Sequence, residues 1–296
     1  METASTGPLI PRRRLGAAFR ELREARGATL QQTAKAKTLL FSPSKLSRIE
    51  NGLAGEPHPR DIRDLIAHFG LDGTEQAAGL ERLAERGRVP GWWQVPPYTM
   101  PPQLDAFISC ESAASRIEGY VPTVVPGILQ TADYAEEVFR RLAPNLTPAQ
   151  IRQQVDLRMA RQRALAEREV APDILLIAPE TVLRRLVGRE QTMRDQLTRL
   201  TAAYDDAGVD FRVIPFRAGI RPAMEGGFTV FHFPDTRDAD VVALETVSST
   251  HFVDQEENVR KHQLVLEDMQ KYVLGRPESL EFIERLRDDD NTWRSA

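Results

Sequence analysis

The chain has one cysteine among its 296 residues, Cys110, so no internal disulfide can form and a reducing, cytoplasmic setting is expected. No apolar run approaches the roughly 20 residues needed to cross a bilayer, and no membrane association is expected. Met1 to Pro11 lacks the apolar stretch of a secretion signal. The five histidines (His58, His68, His232, His251 and His262) show no metal-ligand spacing, and no thiolate pair stands near them. No glycine-rich phosphate loop is present, since Gly226-Gly227 reads as a turn before a strand. Cys110 adjoins the apolar stripe of an amphipathic helix, and no spacing ties it to a histidine, so it reads as an inert core thiol. These absences leave no catalytic residue, metal site or cofactor to name, and they point away from an enzyme.

What is present is unevenly distributed. The net charge of −4 divides into 11 Lys/Arg against 5 Asp/Glu over residues 1–60 and 28 against 38 over the rest. A basic head on an acidic body places any polyanion-binding surface at the front of the chain. Hydrophobic content of 41% supplies ample apolar surface for more than one core. The expected organisation is a helical domain over 1–87, a connector rich in Pro and Trp over 88–102, an α+β domain over 103–287, and an acidic tail over 288–296.

Five helices are expected in the head. Leu15, Ala18, Phe19 and Leu22 form a helical stripe beginning near Pro11–Arg14 and ending at Gly27. Thr29 offers an N-cap for a short helix, and Ser42-Pro43 restarts the chain into a third that stops at Gly52. Ile62, Leu65, Ile66 and Phe69 mark a fourth after Pro59, and a fifth runs from about Thr74 to Arg86. In the connector, Pro90, Pro96, Pro97, Pro101 and Pro102 exclude a continuing helix. Trp92 and Trp93 are expected to dock on a surface.

On the third helix, Leu46 and Ile49 must face the core, which turns Ser44, Lys45, Ser47 and Arg48 outward. Such a face fits a DNA major groove: Arg48 can contact guanine through two hydrogen bonds, and Ser44 or Lys45 can reach base edges or phosphates. Thr29, Gln31 and Gln32 open the preceding helix, whose N-terminus suits backbone phosphates. The string Ser47-Arg48-Ile49-Glu50-Asn51-Gly52, downstream of Leu15-Gly16 and Leu22-Arg23, resembles the phage-repressor helix-turn-helix of the Xre class over about residues 12–71. That resemblance implies a transcriptional regulator bound as a homodimer to a double-stranded operator. One departure stands out: between Ala34 and Ser42 the usual glycine is missing and the turn is about two residues longer, filled by Leu39, Leu40 and Phe41.

The second half mixes helices with about four strands. Leu104, Phe107, Ile108, Ala114 and Ile117 read as one helix, and Tyr134, Val138, Phe139 and Leu142 as another. Thr147-Pro148-Ala149-Gln150 is a capping box opening a third, and Met193, Leu197, Leu200 and Tyr204 mark one capped by Gly208. Strands are expected over Asp173 to Ala178, Val209 to Pro215, Gly227 to Phe233 and Val241 to Val247, before closing helices around Leu266 and Ser279 to Arg287. Glu111 lies in an apolar stripe, where Arg158 or Arg161 could neutralise it. A structural ion pair is one reading; a polar anchor in a ligand or partner pocket, built with Gln130 and Gln162, is the other. The run Val125-Pro126-Gly127-Ile128-Leu129-Gln130-Thr131, with Tyr120, Arg158, Arg161-Gln162, Glu180, Leu183-Arg184, Pro215-Phe216 and Glu245, is similar to the domain of unknown function in WhiJ-like actinomycete regulators. That resemblance implies an antitoxin-like arrangement in which the domain binds a small acidic BldB-like protein. Arg184, Arg185 and Arg189 are then candidates for the interface rim, and an effector pocket for a small molecule is the alternative.

Overall fold

The computed structural model describes residues 7–39, 41–52, 56, 58–94, 102–204, 208–220, 226–235, 238–246, 249–289 and 292–293. The chain is α+β and divides into two compact units, Met1–Ala113 with Asp235–Asp238, and Ala114–Pro234 with Ala239–Ala296.

The first unit is helical: α1 (Leu9–Ala25), α2 (Leu30–Ala34), α3 (Pro43–Asn51), α4 (Pro59–His68), α5 (Glu75–Arg86) and α6 (Pro102–Ala113). α1 starts at Leu9, ahead of the expected Pro11, because the first helical N–H groups have no intrahelical acceptor and proline's missing donor costs nothing there. Leu15, Phe19, Leu46, Ile62, Leu65, Phe69 and Leu80 fill one core. α1 and α3 cross so closely that a Cβ on Gly16 would lie 2.5 Å from the carbonyl oxygens of Ile49 and Glu50. A bidentate pair locks the crossing: Arg23 Nε and Nη2 each donate to Glu50 at 2.8 Å, with both side chains nearly buried. Trp92 and Trp93 do dock, in a short 3₁₀ turn; Trp93 is fully buried and its indole N–H donates to Asp105 at 2.7 Å.

The second unit holds a six-stranded sheet instead of about four. Its strands are β1 (Arg116–Tyr120), β2 (Asp173–Pro179), β3 (Val209–Ile214), β4 (Phe228–His232), β5 (Val241–Glu245) and β6 (Thr250–Val253), in the order β3-β2-β1-β4-β5-β6. β1, β2 and β3 run parallel, while β1 meets β4 and β4, β5 and β6 follow as an antiparallel meander. The parallel half needs helical crossovers, supplied by α7 (Ala132–Leu142) and α8 (Pro148–Ala166), then α9 (Glu180–Arg184) and α10 (Glu190–Ala202). Ile174 to Ala178 is accordingly buried throughout, as a strand covered on both faces must be. α11 (Glu256–Met269) covers one face through Val259, Leu266 and Met269, and α12 (Arg276–Asp288) packs beside β3 and α10. The capping box at Thr147 and Gln150 forms as expected.

Two expectations need correction. The helix traced through Ala114 and Ile117 ends at Ala113, and Ile117 belongs to the central strand β1. The charged residues of that strand hid it: Glu118 lies inside the sheet because Arg116 and His232 take its carboxylate at 2.8 and 2.9 Å. Gly208 does not cap α10, which ends at Ala202. With φ of +99° it leads into β3, and its carbonyl accepts from Ile174 N–H at 2.7 Å.

Candidate nucleic-acid interface

The α2–turn–α3 segment is built from caps. Thr29 Oγ1 accepts from the Gln32 N–H at 3.2 Å while Gln32 Oε1 accepts from the Thr29 N–H at 2.8 Å, a closed capping box. That bond fixes the Gln32 carboxamide at the start of α2 and leaves Gln31, exposed and with no side-chain hydrogen bond among the described residues, as the outward amide. Ser42 caps α3 by accepting from Lys45 N–H at 3.1 Å, and Pro43 takes the first helical position. Gly52 closes α3 at φ +62°, where a Cβ would lie 2.6 Å from the Arg13 Cα, so glycine is required on both counts.

The long turn is ordered by its apolar residues. Leu39 and Phe41 are buried in the core; Leu39 N–H donates to Ala36 O within the turn, and Phe41 N–H donates to Ala34 O, tying it to α2. Thr38 Oγ1 lies 2.7 Å from His68 Nδ1 at the end of α4. Burial, with the nearby Arg26 guanidinium, holds the His68 imidazole below its ordinary pKa.

On α3 Leu46 and Glu50 are buried and Ile49, half-buried, packs against the core, while Ser44 and Arg48 are exposed one turn apart and so share a face. The Arg48 side chain has no ion pair or hydrogen bond among the described residues. Ser47 is half-buried and accepts from Asn51 at 3.4 Å. Lys45 is differently placed: its ammonium lies 2.7 Å from Asp61 Oδ1 and 4.2 Å from the Phe41 ring centroid. Sequence reasoning passed over Lys35 and Lys37, both exposed and unpaired among the described residues, in the turn. The signal available for them was position: two cations in the turn between α2 and a helix with an outward arginine.

Two family models match the chain. A helix-turn-helix domain matches residues 14–79, and the domain of unknown function DUF5753 matches residues 104–285, well over half of the sequence. The chain belongs to the DUF5753 family. No curated protein and no solved structure matches it. The DUF5753 match spans α6, which by contacts groups with the first unit and not, as expected for 103–287, with the second. No helix among the described residues is long and apolar enough to cross a membrane.

Within the DUF5753 domain, Gln130, Arg158 and Gln162 come together. Gln130 Nε2 donates to Val125 O at 2.7 Å, Arg158 donates to Gln130 Oε1 at 2.5 Å, and Gln162 Nε2 donates to the carbonyls of Gly127 and Gln130, both at 2.8 Å. Gln196, fully buried, adds bonds to Leu129 O and Thr131 N–H, both 2.8 Å. These groups fasten the 125–131 loop, with the Arg158 guanidinium 4.3 Å over Phe139. The three glutamines thus bond the loop backbone, and Arg158 holds the Gln130 carboxamide. Glu111 is buried on α6 of the first unit, and Arg158 and Arg161 lie on α8 of the second. Beside Glu111, Cys110 is fully buried, and burial pushes its thiol up to about 12. Arg184 pairs with Glu180 at 2.7 Å, Arg185 reaches Thr123 O at 3.3 Å, and Arg189 is exposed and unpaired among the described residues.

Proposed function

We propose that this protein is a sequence-specific DNA-binding transcriptional regulator of the repressor type, acting from two copies on a two-fold operator. The observation that carries the reading is the Ser44–Arg48 face of α3, polar, exposed and held rigid by the Arg23–Glu50 lock behind it. Arg48 supplies the bidentate base contact, Ser44 a second polar contact, and Gln31 with Lys35 and Lys37 the phosphate contacts. Selection of bound duplexes from a randomised pool tests this. Recovery of a palindromic motif is the expected result, and a pool unchanged after repeated rounds rejects the reading.

The DUF5753 domain, in this proposal, is not an enzyme and receives a small acidic protein. A buried thiol raised to about 12 is unsuited to nucleophilic catalysis, since the thiolate is the reactive form. The docking reading rests on the similarity to WhiJ-like regulators and on one patch: Leu186 is 47% exposed and flanked by Arg184, Arg185 and Arg189, an apolar centre with a basic rim. Affinity capture on the full chain and on Leu186→Asp checks it. Loss of one small protein from the variant's eluate is expected; a metabolite retained equally by both would favour the effector-pocket alternative.

A further inference from the structure

The two edges of the six-stranded sheet are finished differently. On β3 the chain satisfies its own outer backbone groups: Val213 N–H donates to Ser279 Oγ at 3.1 Å, Leu274 N–H to Val213 O at 2.8 Å, and Arg276 to Val209 O at 3.0 Å. The Tyr204 hydroxyl donates to Phe211 O. On β6 nothing comparable is found among the described residues. The hairpin to β5 closes with Thr246 N–H donating to Ser249 O at 2.8 Å, and the pairs run Glu245–Thr250, Leu244–His251, Ala243–Phe252 and Val242–Val253. Hydrogen-bonded and non-bonded pairs alternate along an antiparallel ladder, so His251 and Val253 bond inward to β5. Thr250 and Phe252 therefore turn their N–H and C=O groups to the free edge.

That edge carries none of the usual protections. Thr250-His251-Phe252-Val253 contains no proline, lysine or acidic residue, and Thr250, Phe252 and Val253 favour strands. We propose that β6 pairs antiparallel with β6 of a second copy, with the two-fold axis at His251, so that the sheet continues across the dimer. The register places Thr250 opposite Phe252 of the second copy twice over, gives each copy two donors and two acceptors, and sets no acidic residue against another. Charge selects this occupant. Asp254, Glu256 and Glu257 follow the strand, and a strand from an acidic partner would meet them. Antiparallel self-pairing instead moves the two Asp254 residues to opposite ends, about 20 Å apart at the rise of a strand and beyond the screening length of physiological salt.

The inference gives a location to the two-copy arrangement proposed above and rests on that reading only for its biological use. Its test needs no DNA and can fail separately. Thr250→Pro removes one outward donor per copy and leaves the β5 ladder intact. In sedimentation equilibrium of the full chain, the dimer Kd should rise about tenfold or more, two inter-strand bonds being lost per dimer. His251→Cys places two thiols across the axis at a non-bonded pair, where Cα atoms are about 4.5 Å apart and a disulfide can close. Oxidation should give a covalent dimer from the variant and none from wild type, whose Cys110 is buried. A wild-type chain that is monomeric at micromolar concentration overturns the proposal. So does a dimer that survives Thr250→Pro and leaves His251→Cys uncrosslinked, since dimerisation then lies elsewhere.

Discussion

Two helices of this chain present arginines in opposite ways. On α3 the guanidinium of Arg48 stands exposed and unpaired among the described residues, while the arginines behind it, Arg20 and Arg23, are bound to Asn51 and Glu50. On α8 the guanidinium of Arg158 is bound to Gln130 and stacked over Phe139, and Arg161 is buried. A cation held by its own protein organises backbone. One left free over a rigid helix is available to a polyanion. The same residue type is thus architecture in one place and recognition in the other.

The contrast can be broken at its structural side first. Arg23→Ala strands the buried Glu50 carboxylate and should cost about 3–5 kcal/mol in denaturant unfolding of the first unit. A loss under 1 kcal/mol would mean that the pair is not the lock between α1 and α3. Gln196→Leu leaves Leu129 O and Thr131 N–H without their buried partner. It should cost about 1–3 kcal/mol, seen as early local melting by hydrogen exchange at 125–131, with DNA affinity unchanged.

A third expectation concerns pH. Burial alone would lower the His232 pKa, but hydrogen bonds to Asp240 and Glu118 outweigh it and lift it to about 9. The folded value lies above the ordinary one, so this stabilisation is full below about pH 6.5 and is lost as pH rises through 9. Melting temperatures from pH 6 to 10 should fall more steeply for wild type than for His232→Gln; parallel curves would show that the imidazolium contributes nothing. The smallest effect is assigned to Lys45. Its ion pair with Asp61 is partly exposed, so Lys45→Ala should change stability by about 0.2–1 kcal/mol. It should also weaken DNA binding less than Arg48→Ala does, and the reverse order would show that the ion pair opens on DNA.

The head was legible because its signals are local. Caps at Thr29, Ser42 and Gly52, and the stripe Leu15–Ala18–Phe19–Leu22 of α1, act over a few residues and lie where they are expected. β1 was not legible, since Ala114 and Ile117 continue a helical spacing and Glu118 sits in a central strand only because His232, 114 residues away, meets it. β6 escaped because its four residues, two polar then two apolar, show no alternation and are too few to stand alone as a pattern. At the interface, the type of each outward residue on α3 could be read, but Lys45's engagement with Asp61 and Gln32's with Thr29 could not. Both depend on which of several polar partners the folded backbone brings within 3 Å.

The most direct test compares Arg48→Ala with Arg158→Ala on the duplex selected by the wild-type chain, at fixed salt, alongside their melting temperatures. Arg48→Ala should lose about 1–3 kcal/mol of specific binding, or roughly 5- to 150-fold in Kd, with melting unchanged. Arg158→Ala should melt earlier and, while folded, bind as wild type does. Equal affinity of Arg48→Ala and wild type for that duplex would contradict the account.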